Sequence, residues 1–336
     1  MEVLKVSNDK TNAVTENQIT VNSKKPIDFI GKRKIFFGIS IAIILIGIIC
    51  NFVFGTNLDI QFSGGAMIKY SYTGELDTEQ MKNLIQSETP DNQVSFAITQ
   101  SIMDSTADLN AYTVTVQFSG NNAVSTDLQS SLTSKLQNEF PDNNFKYLES
   151  NSVDSTMGFS FLLKCLAAVA LASILMVIYV TLRFKKIGGF SAGVMGLVAL
   201  FHDVAMIYFL YVIFRMPIDS NFIAVVLMIL GYSLNDTIVV YDRVREEKKR
   251  MGYKADIADV FNVSCTKVMR RSIITSITTL AAIGVVYVVA TIYGITSVQG
   301  FALPMMIGII SGCYSSLCIA GPLWVTWQKH KAKTGK

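Results

Sequence analysis

Two carboxylates lie inside stretches of this chain that are otherwise apolar, Asp203 and Asp236. The other acids fall in polar connections or at the ends of apolar stretches, as Asp219 does. A charge in hydrocarbon costs several kcal/mol, so such residues are functional candidates by default. Asp236 stands in Gly231-Tyr-Ser-Leu-Asn-Asp-Thr-Ile-Val-Val-Tyr-Asp-Arg, with Ser233, Asn235 and Thr237 as polar neighbours. Helical rise puts it ~8–9 Å from the inner end of its stretch. Arg271 opens the next apolar stretch on the same side, and Arg271–Thr275–Thr278–Ala282 forms one polar-to-small face. Ser272–Ser276–Thr279 runs parallel to it. Similar depth on consecutive helices predicts an Asp236/Arg271 pair. Burial and a nearby guanidinium pull a carboxyl in opposite directions, so the chemistry of such a pair is proton binding and release. Moving one charge through a membrane potential is worth ~2.3 kcal/mol per 100 mV. That biases a two-state helix bundle only modestly, so several protons or a long lever arm are needed.

His202 is the one basic partner that Asp203 has nearby in the sequence, and Ala192–Gly196–Ala199–Asp203 carries the same helical spacing. Gly308–Gly312–Ser316 is a further small-residue face, of the kind that lets helices approach closely. Other chemistry is absent. The chain has no GxxxxGK[ST] loop and two histidines in all, His202 and His330. Its five cysteines form no CxxC and read as apolar packers rather than as disulfides or metal ligands. A hydrolase, a metal site and a bound cofactor are therefore not expected.

The elements that must position these residues follow from composition. Of 336 residues, 51% are hydrophobic and 16% charged, against about 25% charged in soluble chains. Six stretches reach the ~20 apolar residues that a membrane helix needs: 35–54, 159–182, 187–214, 221–241, 273–293 and 301–327. The net charge of +4 is too small to point to nucleic acid, but its distribution is informative. Residues 55–158 hold thirteen acids and four bases, and the remainder twelve acids and twenty-five bases. Lysines and arginines cluster before span one, between spans two and three, in the basic 242–271 connection, and after span six. The positive-inside bias then places the 1–34 and 328–336 tails in the cytoplasm and residues 55–158 outside. The basic connection reads as a topology determinant and a solvated, partly helical loop.

Within 55–158, residues 58–72 alternate like a strand with a bend at Ser63-Gly64-Gly65. Asp77 N-caps a helix with Met81, Leu84 and Ile85 on one face. Strands follow over 93–99 and 111–118, then a helix from Ser125 carrying Leu128, Leu132, Leu136 and Phe140, and a strand over 145–148. The order β-α-β-β-α-β predicts a ferredoxin-like α+β domain. It holds no His, Cys or Arg, so it suits binding or movement as a unit better than catalysis.

The motif from Gly231 to Glu246 closely resembles the signature of the SecD/SecF family of protein-export membrane proteins, in the RND superfamily of proton-driven transporters. Arg271-Ser-Ile-Ile-Thr-Ser-Ile-Thr-Thr-Leu, Gly308-Ile-Ile-Ser-Gly-Cys-Tyr-Ser-Ser and the His202-Asp203 pair also match. The likeness runs from about residue 30 to the end. The usual Gly-Ile-Asp-Phe-x-Gly-Gly entry to the exported domain is altered to Leu58-Asp-Ile-Gln-Phe-Ser-Gly-Gly. The resemblance implies a SecD-like partner supplying the other six-span half, docking on the SecY–SecE–SecG channel, and an unfolded polypeptide pulled outward by proton flow across a bacterial plasma membrane. It makes Asp236 the proton-responsive carboxylate and Arg271 its regulating cation. Asn235, Ser233, Thr237, Thr275, His202 and Asp203 are then supporting polar groups, and Gly308, Gly312 and Ser316 pack helices in a lipid-surrounded bundle. An RND-type exporter half for lipids or small molecules shares the buried acid, but usually joins two such halves in one chain with larger exported domains.

Overall fold

The computed structural model describes residues 26–89, 93–100, 111–119, 126–153, 155–252, 254–293 and 295–334. Six of its helices are long and apolar enough to cross a membrane, and the chain is a polytopic helical membrane protein. The first is α1 (Arg33–Phe54). The others are α5 (Ser155–Arg183), α6 (Gly189–Ile213), α7 (Ser220–Met251) and α8 (Ile257–Ile292), and then α9 (Thr296–Ser315), continued by α10 (Gly321–Lys333). Between α9 and α10 the wider turn of a π-helix covers Ser316–Ala320. α6, α7 and α9 form the buried centre, whereas α1 and α5 expose Ile41, Ile49, Leu171 and Ile178 around it. Exposed aliphatic side chains on a spanning helix are suited to lipid or to a neighbouring helix.

Small residues set the central packing. A Cβ on Gly308 would stand 2.6 Å from Ile229, and one on Gly312 would stand 3.1 Å from the Ser233 Cβ. Ser316 meets Thr237 one helical repeat further on. The expected Gly308–Gly312–Ser316 face thus packs along Ile229–Ser233–Thr237 of α7, four residues apart on both helices.

The basic connection departs from the expected solvated loop. α7 and α8 run on into it, and the turn between them is confined to the few residues around Gly252 (φ +90°). Val260 and Phe261 are fully buried with Phe184, Tyr241 and Trp324. Phe29 and Ile30, ahead of α1, enter the same core. Asn262 holds them there: its Oδ1 accepts the amides of Phe29 (3.0 Å) and Ile30 (3.2 Å), while its Nδ2 donates to Asp28 (2.9 Å). The Gly31 amide, followed by the Asn262 side chain, holds the Asp28 carboxyl below its ordinary range.

Outside the bundle, β1 (Gly65–Thr73), α3 (Thr78–Glu88), β2 (Gln93–Gln100), β3 (Ala111–Ser119), α4 (Thr126–Glu139) and β4 (Lys146–Val153) follow in the expected order. They are preceded by α2 (Ile60–Ser63). The sheet runs β2-β3-β1-β4, antiparallel throughout, with Tyr70 opposite Val114 and Phe96 opposite Val116. Ile68, Tyr70, Tyr72, Met81, Ile85, Val114, Val116, Leu132 and Leu136 make its core. Asp77 caps α3 as expected, accepting from the amides of Glu79 and Gln80. The expected Ser125 start of α4 lies outside the described residues. β4 runs five residues past its expected end, paired to β1 although nearly every side chain on it is exposed. Residues 60–63, expected as strand, form the helical turn α2. Asp59 caps it through the Gln61 amide (2.9 Å), and Gly64 ends it at φ +75°. Ile60 and Phe62 are both buried on that turn, so two apolar residues at i and i+2 did not distinguish strand from turn.

Candidate functional site

Asp203 is completely buried where α6, α7 and α9 meet. Three hydroxyls converge on its carboxylate. Ser311 donates to Oδ1 at 2.6 Å; Ser315 and Ser233 donate to Oδ2 at 2.7 and 2.8 Å. His202 Nδ1 lies 3.3 Å from Oδ1, while its Nε2 is buried with no hydrogen-bond partner among the described residues. Ser311 and Ser315 stand one helical repeat apart, on the face of α9 turned to α6. The network runs on at the π-turn: Ser316 donates to the Ser233 carbonyl at 3.1 Å, and Thr237 Oγ1 lies 3.0 Å from Ser316 Oγ. π-Bulges in α-helices are frequent at functional sites.

Asp236 occupies the other side of α7. It is 4% exposed, and its Oδ2 accepts one hydrogen bond, from Ser272 of α8 at 2.6 Å. One turn away, Tyr232 donates to Ser276 at 3.1 Å. The Ser272–Ser276 stripe of α8 therefore faces Asp236, and the stripe led by Arg271 turns outward. Arg271 is exposed, within electrostatic reach of Asp236; among the described residues no ion pair joins the two. Asn235 and Thr278 are exposed on the same side of α7 and α8, and Thr275 is half-buried. The sequence-derived candidates thus divide into two groups. Asp203, His202, Ser233, Thr237, Gly312 and Ser316 come together in the centre. Asp236 lies at the α7/α8 seam beside an outward polar face of Asn235, Arg271 and Thr278.

Sequence reasoning missed the donors Ser311 and Ser315, although both lie in the quoted motif at a spacing of four. It also missed how the sheet domain is fastened. The Ile218 amide donates to the Asn57 carbonyl (2.8 Å), and the Asp59 amide donates to the Ile218 carbonyl (3.0 Å). Gln117 of β3 donates to Asp59 Oδ2 at 2.8 Å. The sheet, the α2 turn and the start of α7 are thereby one connected unit. Asp219, the N-cap of α7, accepts from the Phe222 amide at 3.1 Å, and burial pushes its carboxyl up from the ordinary range. The described residues contain no group of three or more His, Cys, Asp or Glu arranged to hold a metal ion.

Residues 132–330 match the family described as "Protein export membrane protein SecD/SecF, C-terminal". The chain belongs to the SecD/SecF family. A protein translocase subunit SecF from Petrotoga mobilis is 33% identical over 310 residues, covering 92% of this chain and 99% of that protein. A protein translocase subunit SecDF from Bacillus subtilis is also 33% identical, but its matched region is 39% of its length. In fold, the crystal structure of SecDF from a Thermus species, named a translocon-associated membrane protein, is similar with a TM-score of 0.73. It is 24% identical and covers 91% of this chain and 39% of its own. The chain thus spans nearly all of the SecF relative and less than half of each SecDF.

Proposed function

We propose that this chain is the SecF-like subunit of a Sec protein translocation machinery in a bacterial plasma membrane. It works there with a SecD-like chain at the SecY–SecE–SecG channel and has no enzymatic activity of its own. Protons drive it. Asp236 is the proton-responsive carboxylate, and Arg271 is the cation that sets its protonation. Both termini and the basic α7–α8 hairpin face the cytoplasm; the ferredoxin-like βαββαβ domain stands outside.

One observation carries this reading: a buried acid with a single hydrogen-bond donor among the described residues borders an uncovered polar face at membrane depth. Asn235 and Arg271 on spanning helices are too polar to face hydrocarbon, and Thr278 lies on the same face with its hydroxyl bonded to the Thr275 carbonyl. They need a partner surface or a water-lined seam, and a SecD-like chain would supply one. The mechanical side is supported by the tie at Ile218. Asp236 lies 18 residues further along α7, about 27 Å by helical rise. A shift of α7 on protonation therefore reaches the Asn57–Asp59 connection directly, and through Gln117 the sheet. Asp203 differs because its carboxylate is met by three hydroxyls and a histidine, so it fixes the α6–α7–α9 centre against which α7 moves.

The test is disulfide or photo-crosslinking from position 278, as Thr278→Cys or a photoreactive residue there, in membranes of cells that carry a SecD-like chain. A crosslink to that chain is expected. Labelling from 278 by lipid-phase reagents alone would remove the partner reading.

A further inference from the structure

A cavity of about 920 Å³ opens at the lysine-rich end of the bundle, between the last turn of α5, the first turn of α6 and the end of α10. We propose that it is a binding site for the headgroup of an anionic phospholipid in the adjoining leaflet.

Charge carries the argument first. Lys185, His330 and Lys331 line the cavity, and among the described residues no carboxylate does. Neighbouring cations are spent on acids: Arg183 pairs with Asp242 at 3.1 Å and Lys329 with Asp256 at 2.9 Å. Lys185 and Lys331 have no ion pair among the described residues. The start of α6 adds to this positive end, because its N-cap is Gly188 and no side chain caps the first turn.

Shape and depth decide the source of the anion. Gly188, at φ +90°, and Gly189 line the cavity, so backbone forms part of the wall where a headgroup would rest; Gly189 also lets α6 close on α5, because a Cβ there would collide with the Thr181 carbonyl. Trp327 is 51% exposed and Phe190 69% exposed, both at the cavity edge. Tryptophan rings mark the level of the lipid headgroups. Leu182, 58% exposed, continues along α5 from the rim. A phosphate ester would meet the lysines and the His330 ring, and its acyl chains would lie along Phe190 and Leu182. A free phosphate would use the cations and leave the aromatic rim without a role. Basic pockets between helix ends at this level are known sites for anionic headgroups.

The experiment uses the purified full chain in a nonionic detergent. Native mass spectrometry follows binding of phosphatidylglycerol, phosphatidylcholine and inorganic phosphate. Phosphatidylglycerol should bind in preference to phosphatidylcholine. Each lysine is expected to contribute about fivefold, equivalent to about 1 kcal/mol, so Lys185→Gln with Lys331→Gln should weaken phosphatidylglycerol about 25-fold. Lys186→Gln with Lys333→Gln makes the same charge change outside the cavity and should alter binding by less than about twofold. Melting of both double variants without lipid, matching the parent chain, checks that folding is intact. Equal loss in the two pairs would mean a diffuse basic field and overturn the site. Equal binding of the two lipids would overturn it as well. Displacement of phosphatidylglycerol by millimolar inorganic phosphate would overturn the lipid as occupant.

Discussion

The two buried acids should respond oppositely to the same substitution. Asp203→Asn keeps the shape of the side chain but removes the charge that three serine hydroxyls meet at 2.6, 2.7 and 2.8 Å. Hydrogen bonds to a charged group contribute about 1.5–3 kcal/mol and neutral ones about 0.5–1.5, so each bond weakens by about 1–1.5 kcal/mol. Three such bonds give a loss of about 3–4.5 kcal/mol. The new amide nitrogen also needs an acceptor, among hydroxyls already committed as donors. Asp236→Asn weakens one bond, from Ser272, and should cost about 1 kcal/mol. The assay is reversible unfolding of the purified chain in mixed micelles by added SDS, followed by tryptophan fluorescence; Trp324 is fully buried and reports on the core. Ser311→Ala combined with Asp203→Asn completes a double-mutant cycle, and the pair should cost less than the sum of the two singles. If Asp236→Asn destabilises as much as Asp203→Asn, the division into a structural and a mobile acid is refuted.

Other parts of the fold give independent checks. Gly308→Ala should destabilise by about 1–3 kcal/mol in the same unfolding assay, because its Cβ would stand 2.6 Å from Ile229 in the packed centre. Asn262→Ala should release residues 28–30 from the inner core, and hydrogen exchange at the Ile30 amide should accelerate at least about tenfold, since this donor loses its side-chain acceptor; the Phe29 amide keeps the Ile27 carbonyl and should respond less. The hydrogen bond from Lys329 is the main reason that the Asp256 carboxyl lies below its ordinary value of 3.8. A carboxyl lowered in the folded state stabilises above that unfolded value, and the contribution disappears as pH falls through the folded one. Lys329→Ala should therefore lower the melting temperature near neutral pH and have no effect once Asp256 is protonated in both states; solvent screening keeps the effect under about 1 kcal/mol.

Much of this arrangement was legible in the sequence, for identifiable reasons. Spanning helices declare themselves by apolar length, and Gly308–Gly312–Ser316 declares a close approach whatever its partner. Asp77 caps α3 through local contacts alone. The rest depends on which face a neighbour covers. Arg271 and Ser272 are adjacent, about 100° apart around α8, and the packing of α7 chose Ser272 for Asp236. Ser311 and Ser315 had the right spacing for a shared face, but their target lies more than a hundred residues away in α6. Asn262 and the Phe29 amide are 233 positions apart, with no pattern to link them. The α2 turn was hidden because Ile60 and Phe62 satisfy a strand period equally well.

The central claim is that Asp236 couples protons to export, and its direct measurement is export from cells or inverted vesicles carrying Asp236→Asn. Activity is normalised to the amount of assembled complex and taken with and without a protonophore. The account predicts normal assembly and loss of the protonophore-sensitive part of export. Full protonophore-sensitive export from a stably assembled Asp236→Asn complex would contradict it and leave Asp236 as a packing residue held by Ser272.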